Sequence, residues 1–116
     1  MTLDQMIKIC EELPGARAVL KIGHHLTYNV GEKSFVWFSQ DQVPIPCDFK
    51  CRKEDFTILC DTEGFEKAPY IGRFGWVRCQ DISRLSSQEA KTYITNSYHV
   101  VWEKLPKKIK AATGRK

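Results

Sequence analysis

Apolar and polar positions along this chain follow two different periods, and the switches between them outline a fold. Leu3, Met6, Ile7, Cys10 and Leu13 recur at helical spacing behind Thr2, and Gln5 stands three residues after Thr2. Such a pair makes a capping box, in which each side chain satisfies an amide that the first helical turn leaves open. A helix over residues 3–13 is predicted, closed by Pro14-Gly15.

The period then shortens to two. Ala18 to Ile22, Leu26 to Val30 and Ser34 to Phe38 are short β-rich runs, separated by Gly23-His24-His25 and by Gly31-Glu32. They read as an antiparallel meander with a tight hairpin at Gly31-Glu32. After a loop with two prolines (Asp41 to Pro46), Cys47 to Cys51 reads as a fourth strand. Strict alternation puts Phe35 and Trp37 on one face of the third strand and Val36 and Phe38 on the other.

A short helix is predicted over residues 53–61, with Phe56, Leu59 and Cys60 inward. A Gly- and Pro-containing stretch from Gly64 to Gly75 leads into a last strand, Trp76 to Cys79, where Trp76 and Arg78 share one side. Ser86 and Glu89 form a second capping box. It opens a long helix with Ala90, Ile94, Tyr98, Val101 and Leu105 on one stripe, ended by Pro106. Helices with one apolar stripe need a sheet to rest on. The expected fold class is therefore α+β: a two-layer sandwich, an antiparallel sheet with helices packed on one face.

Composition agrees with one globular domain of 116 residues, 42% hydrophobic and 28% charged. The net charge of +4 suggests an acidic partner, but its distribution changes that picture. Residues 103–116 carry six lysines and arginines against Glu103 alone, a local net of +5. The first 102 residues carry 12 against 13 acids, a net of −1. Domain organisation is read as one domain over residues 1–106 and a flexible basic C-terminal tail over 107–116. No apolar run is long enough to span a membrane, and the opening residues lack the layout of a signal peptide. With five scattered cysteines this points to a cytoplasmic protein with reduced thiols.

Several strings resemble a known family. Cys10-Glu11-Glu12-Leu13-Pro14-Gly15, Lys33-Ser34-Phe35-Val36 and Phe49-Lys50-Cys51-Arg52 are three of them. Pro69-Tyr70-Ile71-Gly72-Arg73-Phe74-Gly75-Trp76-Val77 is a fourth. The last is Ser97-Tyr98-His99-Val100-Val101 with Lys104-Leu105-Pro106-Lys107-Lys108. In this order and spacing they are similar to the MmcQ/YjbR family over nearly the whole chain. The resemblance implies a frataxin-like sandwich and carries the label DNA-binding. Many members have a Lys shortly before the Trp of the last strand, where this chain offers Arg73.

The residues themselves suggest nucleic-acid binding through Lys50, Arg52, Lys53, Arg73, Trp76 and Arg78 on an open sheet face. Cations would meet phosphates there, and Trp37 and Trp76 would stack bases. Lys107, Lys108 and Lys110 of the tail would serve as an auxiliary electrostatic arm. The alternative is that both Trp residues pack under a loop while the cations solvate the rim. An interaction module on the same face, holding a protein partner or a small anionic ligand, is the second functional reading. A monomer or weak homodimer is expected.

No metal site is expected: Cys47 and Cys51, His24-His25 and His99 lack paired ligand spacing. A nucleophile built from Cys60 or Cys79 with His24 or His99 would place the thiol on an apolar face, where it is inert. Neither enzyme activity nor a cofactor is expected.

Overall fold

The computed structural model describes residues 1–21 and 25–114, so Ile22, Gly23, His24, Arg115 and Lys116 lie outside the described residues. Helix α1 (Leu3–Glu11) is followed by strands β1 (Arg17–Lys21), β2 (His25–Val30), β3 (Lys33–Ser39) and β4 (Cys47–Lys50). Then come helix α2 (Lys53–Cys60), strands β5 (Phe65–Lys67) and β6 (Trp76–Cys79), and helices α3 (Ser87–Glu103) and α4 (Lys107–Ala112). Every strand pair is antiparallel, and the sheet runs in the order β1-β2-β3-β4-β6-β5. The fold is the expected α+β sandwich.

Local sequence sets most of these elements. Both capping boxes form: the Gln5 amide donates to Thr2 Oγ1 at 3.2 Å and the Thr2 amide to Gln5 Oε1 at 2.9 Å. Ser86 and Glu89 repeat the arrangement at 3.1 Å each way. Gly31 and Glu32 both have positive φ, 54° and 70°, as the tight turn between right-twisted strands requires.

One sheet face carries the core. The predicted stripe is buried along its whole length, from Ala90 to Val101 on α3 and Leu105 just after it, against Val36, Phe38, Phe49, Val77 and Cys79. Met6 and Cys10 bring α1 into the same core, and Phe56 and Leu59 pack α2 against its edge. Tyr98 Oη donates to the Pro14 carbonyl at 2.6 Å, tying α3 to the end of α1.

Three features depart from the sequence reading. Strict alternation fails in β3, where the register shifts between Tyr28 and Asn29: Tyr28 pairs with Val36 and Asn29 with Ser34. Phe35 is the extra residue of a bulge, so Phe35 and Val36 are both fully buried and Phe35 does not share the face of Trp37. Its ring meets Tyr98 edge-on at 5.4 Å. Secondly, Phe65 to Lys67 pair with β6 as an edge strand at the start of the Gly64–Gly75 stretch that leads into the last strand.

Thirdly, residues 107–112 are a helix rather than a free arm. Trp102 Nε1 donates to Thr113 Oγ1 at 3.1 Å, and Ile109 packs against the core. The seat of α4 needs two glycines. A Cβ on Gly31 would stand 2.5 Å from Ile109 Cγ2, and one on Gly15 would stand 2.9 Å from Thr113 Cβ. The periodicity of α4 is too short to register in sequence, and its docking is a tertiary matter.

Candidate nucleic-acid interface

The face away from the helices carries Trp37, Asp48 and Arg78, which follow one another in register across β3, β4 and β6, with Glu66 of β5 beside them. The one cation in this row, Arg78, is outnumbered by two carboxylates. Arg78 donates through Nε to Asp48 Oδ1 at 2.7 Å and through Nη2 to Asp48 Oδ2 at 3.0 Å. The hydrogen bond to Asp48 raises the guanidinium pKa further, with Glu66 adding to the effect. Arg78, expected as a phosphate contact, is thus committed to a neighbouring carboxylate.

The next row is different. Lys50 and Trp76 are direct cross-strand partners, and β4 stops pairing with β3 there: the last registered pair is Val36 with Phe49. Ser97 of α3 fills the break. Its hydroxyl accepts from the Lys50 amide at 2.8 Å and donates to the carbonyl of the bulged Phe35. A buried serine thereby satisfies two backbone groups that the interrupted ladder would leave unpaired.

Two recesses open where the strands part. One, of about 570 Å³, is walled by Trp37 and Trp76, by Ile71 and Phe74 of the loop before β6, by Val101 of α3 and by Leu105 just beyond that helix. Lys33, Lys50 and Lys104 stand around it, and no carboxylate lines it. The second, of about 730 Å³, shares Lys50, Phe74 and Lys104 with the first and adds Arg52, Lys53, Lys67 and Arg73. There Glu54 and Glu103 offset part of the charge, and Arg52 Nη2 lies 3.5 Å from Glu103 Oε1.

Lys33, Lys50 and Lys104 form no salt bridge among the described residues. Lys50 is half-buried, and its pKa is lowered chiefly by burial and then by the charges of Lys104 and Lys33. Three like charges around one recess, with no carboxylate among the residues that line it, favour an anion there.

The loop between Pro69 and Gly75 adds exposed aromatics. Tyr70 is 97% exposed with its backbone in the left-handed region at φ 67°, and Phe74 is 58% exposed. The Arg73 guanidinium lies 4.8 Å over the Phe74 ring. Trp37 is half-buried and tilts against His25 at 5.7 Å.

Of the expected site residues, the structure brings Lys50, Arg52, Lys53, Arg73 and Trp76 together, and Trp37 joins Lys50 and Trp76 in the smaller recess. Both Trp residues are half-buried and share the recess wall with Ile71 and Phe74 of the loop. Lys107 and Lys108 are exposed on α4, while the Lys110 ammonium lies 4.9 Å over the Trp102 ring. Lys33, Lys67, Lys104 (by sequence part of the basic tail) and Phe74 lie outside the expected sheet-face site. They come from a hairpin turn, an edge strand, a helix end and a loop, and no spacing links them.

The thiols are dispersed from this region, apart from Cys51 on the wall of the larger recess. Burial raises Cys10 to about 12 and Cys51 to about 11, and pushes Cys47 up as well. Cys60 and Cys79, considered as nucleophiles, are also raised by burial, and Cys79 Sγ donates to the Asp81 carbonyl at 3.6 Å. Among the described residues no cluster of His, Cys, Asp and Glu could hold a metal. No helix among them is long and apolar enough to cross a membrane.

Fold and site together describe a small α+β sandwich with a cation-rimmed recess at the end of its sheet. The YjbR family model matches residues 11–100, and the chain belongs to the YjbR family. A Deinococcus radiodurans protein with a DUF419 domain superposes with a TM-score of 0.88 at 18% identity, covering 99% of this chain and 89% of its own. A Pseudomonas syringae protein superposes with a TM-score of 0.70 at 14% identity, covering 86% of this chain and 98% of its own. At such identities the likeness extends to the fold alone. No curated protein matches the chain.

Proposed function

We propose that the protein binds nucleic acid through the cationic end of its sheet. The observation that carries the reading is the convergence of Lys33, Lys50 and Lys104 without a carboxylate among the residues lining the smaller recess. Phosphate is the anion that repeats along a polymer, and the neighbouring Arg73, Lys53 and Lys67 continue the charge beyond the recess. Trp37, Trp76 and Phe74 supply the aromatic surface that nucleobases favour. Arg78 is left out of this reading because Asp48 already holds it. The docked α4 directs Lys107 and Lys108 as a fixed patch rather than a trailing arm.

Titration with single- and double-stranded oligonucleotides at two salt concentrations tests this. Three to six phosphate contacts give a slope of log K against log salt of about −2 to −4 for a single strand and about −3 to −5 for a duplex, and the triple variant Lys33→Gln, Lys50→Gln, Lys104→Gln flattens it. No binding to either form at low salt rejects the reading. Salt-insensitive capture of a partner lost on Trp76→Ala would favour a protein-interaction module instead.

A further inference from the structure

The recess has a shape as well as a charge, and the shape selects among nucleic acids. Lys50 and Trp76 are directly opposed on adjacent strands, which sets an ammonium-bearing stem and an indole side by side, about 5 Å apart at Cβ. A nucleotide joins its phosphate to its base through one sugar, so a single nucleotide can reach both. Behind Trp76 the cavity is concave and apolar, walled by Trp37, Ile71, Phe74, Val101 and Leu105, and its 570 Å³ lies within the range of small-ligand pockets. A duplex keeps its bases paired and stacked inside the helix and can offer such a cavity only its backbone. An unpaired base can enter.

The rim supports the same occupant. Phe74 and Tyr70 are large aromatic rings left mostly in solvent on one short loop, and Tyr70 holds a left-handed backbone conformation that is strained for a non-glycine residue. Packing does not account for either ring. Arg73 over Phe74 extends a planar surface on which a second base can stack.

Resting on the nucleic-acid reading above, we infer that the ligand is a single-stranded segment. One unpaired base lies in the Trp37–Trp76 recess, its phosphate on Lys33, Lys50 and Lys104, and the next base lies on the Tyr70–Phe74 loop.

The test compares four ligands of one length with the intact chain: a thymidine oligomer, a uridine oligomer, a duplex, and an abasic strand carrying the same phosphates. Affinity is read by anisotropy and base insertion by quenching of tryptophan emission. The expected result is binding of a single strand at least about tenfold tighter than the duplex or the abasic strand, with quenching, because base stacking on an aromatic ring contributes five- to hundredfold per base. Thymidine and uridine oligomers distinguish DNA from RNA as the source of that strand, and either supports the inference. Trp76→Phe and Trp37→Phe keep an aromatic wall and should lose part of the quenching with little loss of affinity. Tyr70→Ser, on a fully exposed side chain, should weaken single-strand binding severalfold and leave duplex binding unchanged. A duplex or an abasic strand that binds as tightly as the base-bearing strand overturns the inference while leaving nucleic-acid binding intact. Failure of all four to bind removes the nucleic-acid reading itself, and this inference with it.

Discussion

Asp48 and Arg78 face each other in register on β4 and β6, and both guanidinium hydrogen bonds end on the same carboxylate, at 2.7 and 3.0 Å. Asp48 is only 6% exposed. The pair stabilises the middle of the sheet, and it removes from the candidate interface a cation that sequence alone places there. Arg78→Ala leaves a nearly buried carboxylate unpaired and should lower unfolding stability by about 3 kcal/mol in denaturant titration. The affinity of the folded variant for oligonucleotides should be unchanged. Asp48→Ala combined with Arg78→Ala should recover part of the lost stability, since no charge is then left without a partner.

Lys50→Gln separates stability from binding in the opposite sense. Burial and the charges of Lys104 and Lys33 lower the Lys50 pKa, so the charged form is penalised by folding. Just below the ordinary lysine value the unfolded chain binds more protons than the folded one, so this group adds stability as pH rises through that window. At neutral pH both states are protonated and the penalty is fully present. Lys50→Gln removes it, and the variant should melt at the same temperature as the parent or higher while binding oligonucleotide several-fold more weakly. A lower melting temperature would mean that Lys50 supports the fold.

Ser97 tests the break in the ladder. Ser97→Ala leaves the Lys50 amide and the Phe35 carbonyl without the hydroxyl that joins them. Unsatisfied buried groups of this kind cost about 1–3 kcal/mol each, and relaxation of the strand end should hold the total to about 2–4 kcal/mol. Hydrogen exchange at the Lys50 amide should accelerate more than at Phe49, whose position remains paired.

Gly31→Ala tests the seat of α4. A methyl group there meets Ile109 and Leu105 side chains at 2.5 and 2.8 Å, on a backbone with φ 54°. Loss of about 1–3 kcal/mol is expected. Undocking of α4 should change the emission of Trp102, whose indole donates to Thr113.

Alkaline pH should destabilise the protein through its thiols. Cys10 is raised from 9.0 to about 12 by burial, so between those values the folded chain keeps a proton that the unfolded chain has released. Stability then falls with rising pH, by about 1.4 kcal/mol per pH unit for one such thiol. Tyr28, raised from 10.0 to about 12, adds to the fall at the upper end. Cys10→Ala or Cys10→Ser should make the decline shallower in melting experiments between about pH 8.5 and 10.5.

Helices α1, α2 and α3 were legible because their information is local. Both capping boxes and the buried stripes of α1 and α3 depend on residues three or four apart, and the turn at Gly31-Glu32 depends on two adjacent ones. Alternation is kept in β6, where Val77 and Cys79 are buried and Trp76 and Arg78 only half-buried. It failed at Phe35 because a bulge is a property of two strands, and neither strand shows it alone. β5, a three-residue edge strand, is too short to show an alternation of its own.

Sequence alone therefore determined the α+β class, the order of most elements, the face that α3 buries and the residue types available for binding. These follow from periodicity and side-chain chemistry, which act over a few residues. Tertiary structure decided which cations remain available. Arg78 meets Asp48 thirty residues away, and Lys33, Lys50 and Lys104 meet where β4 parts from β3. It also turned the basic tail into a docked helix. Charge is additive along a chain, but its effect at a site depends on what lies within a few ångströms, and only folding brings those neighbours together.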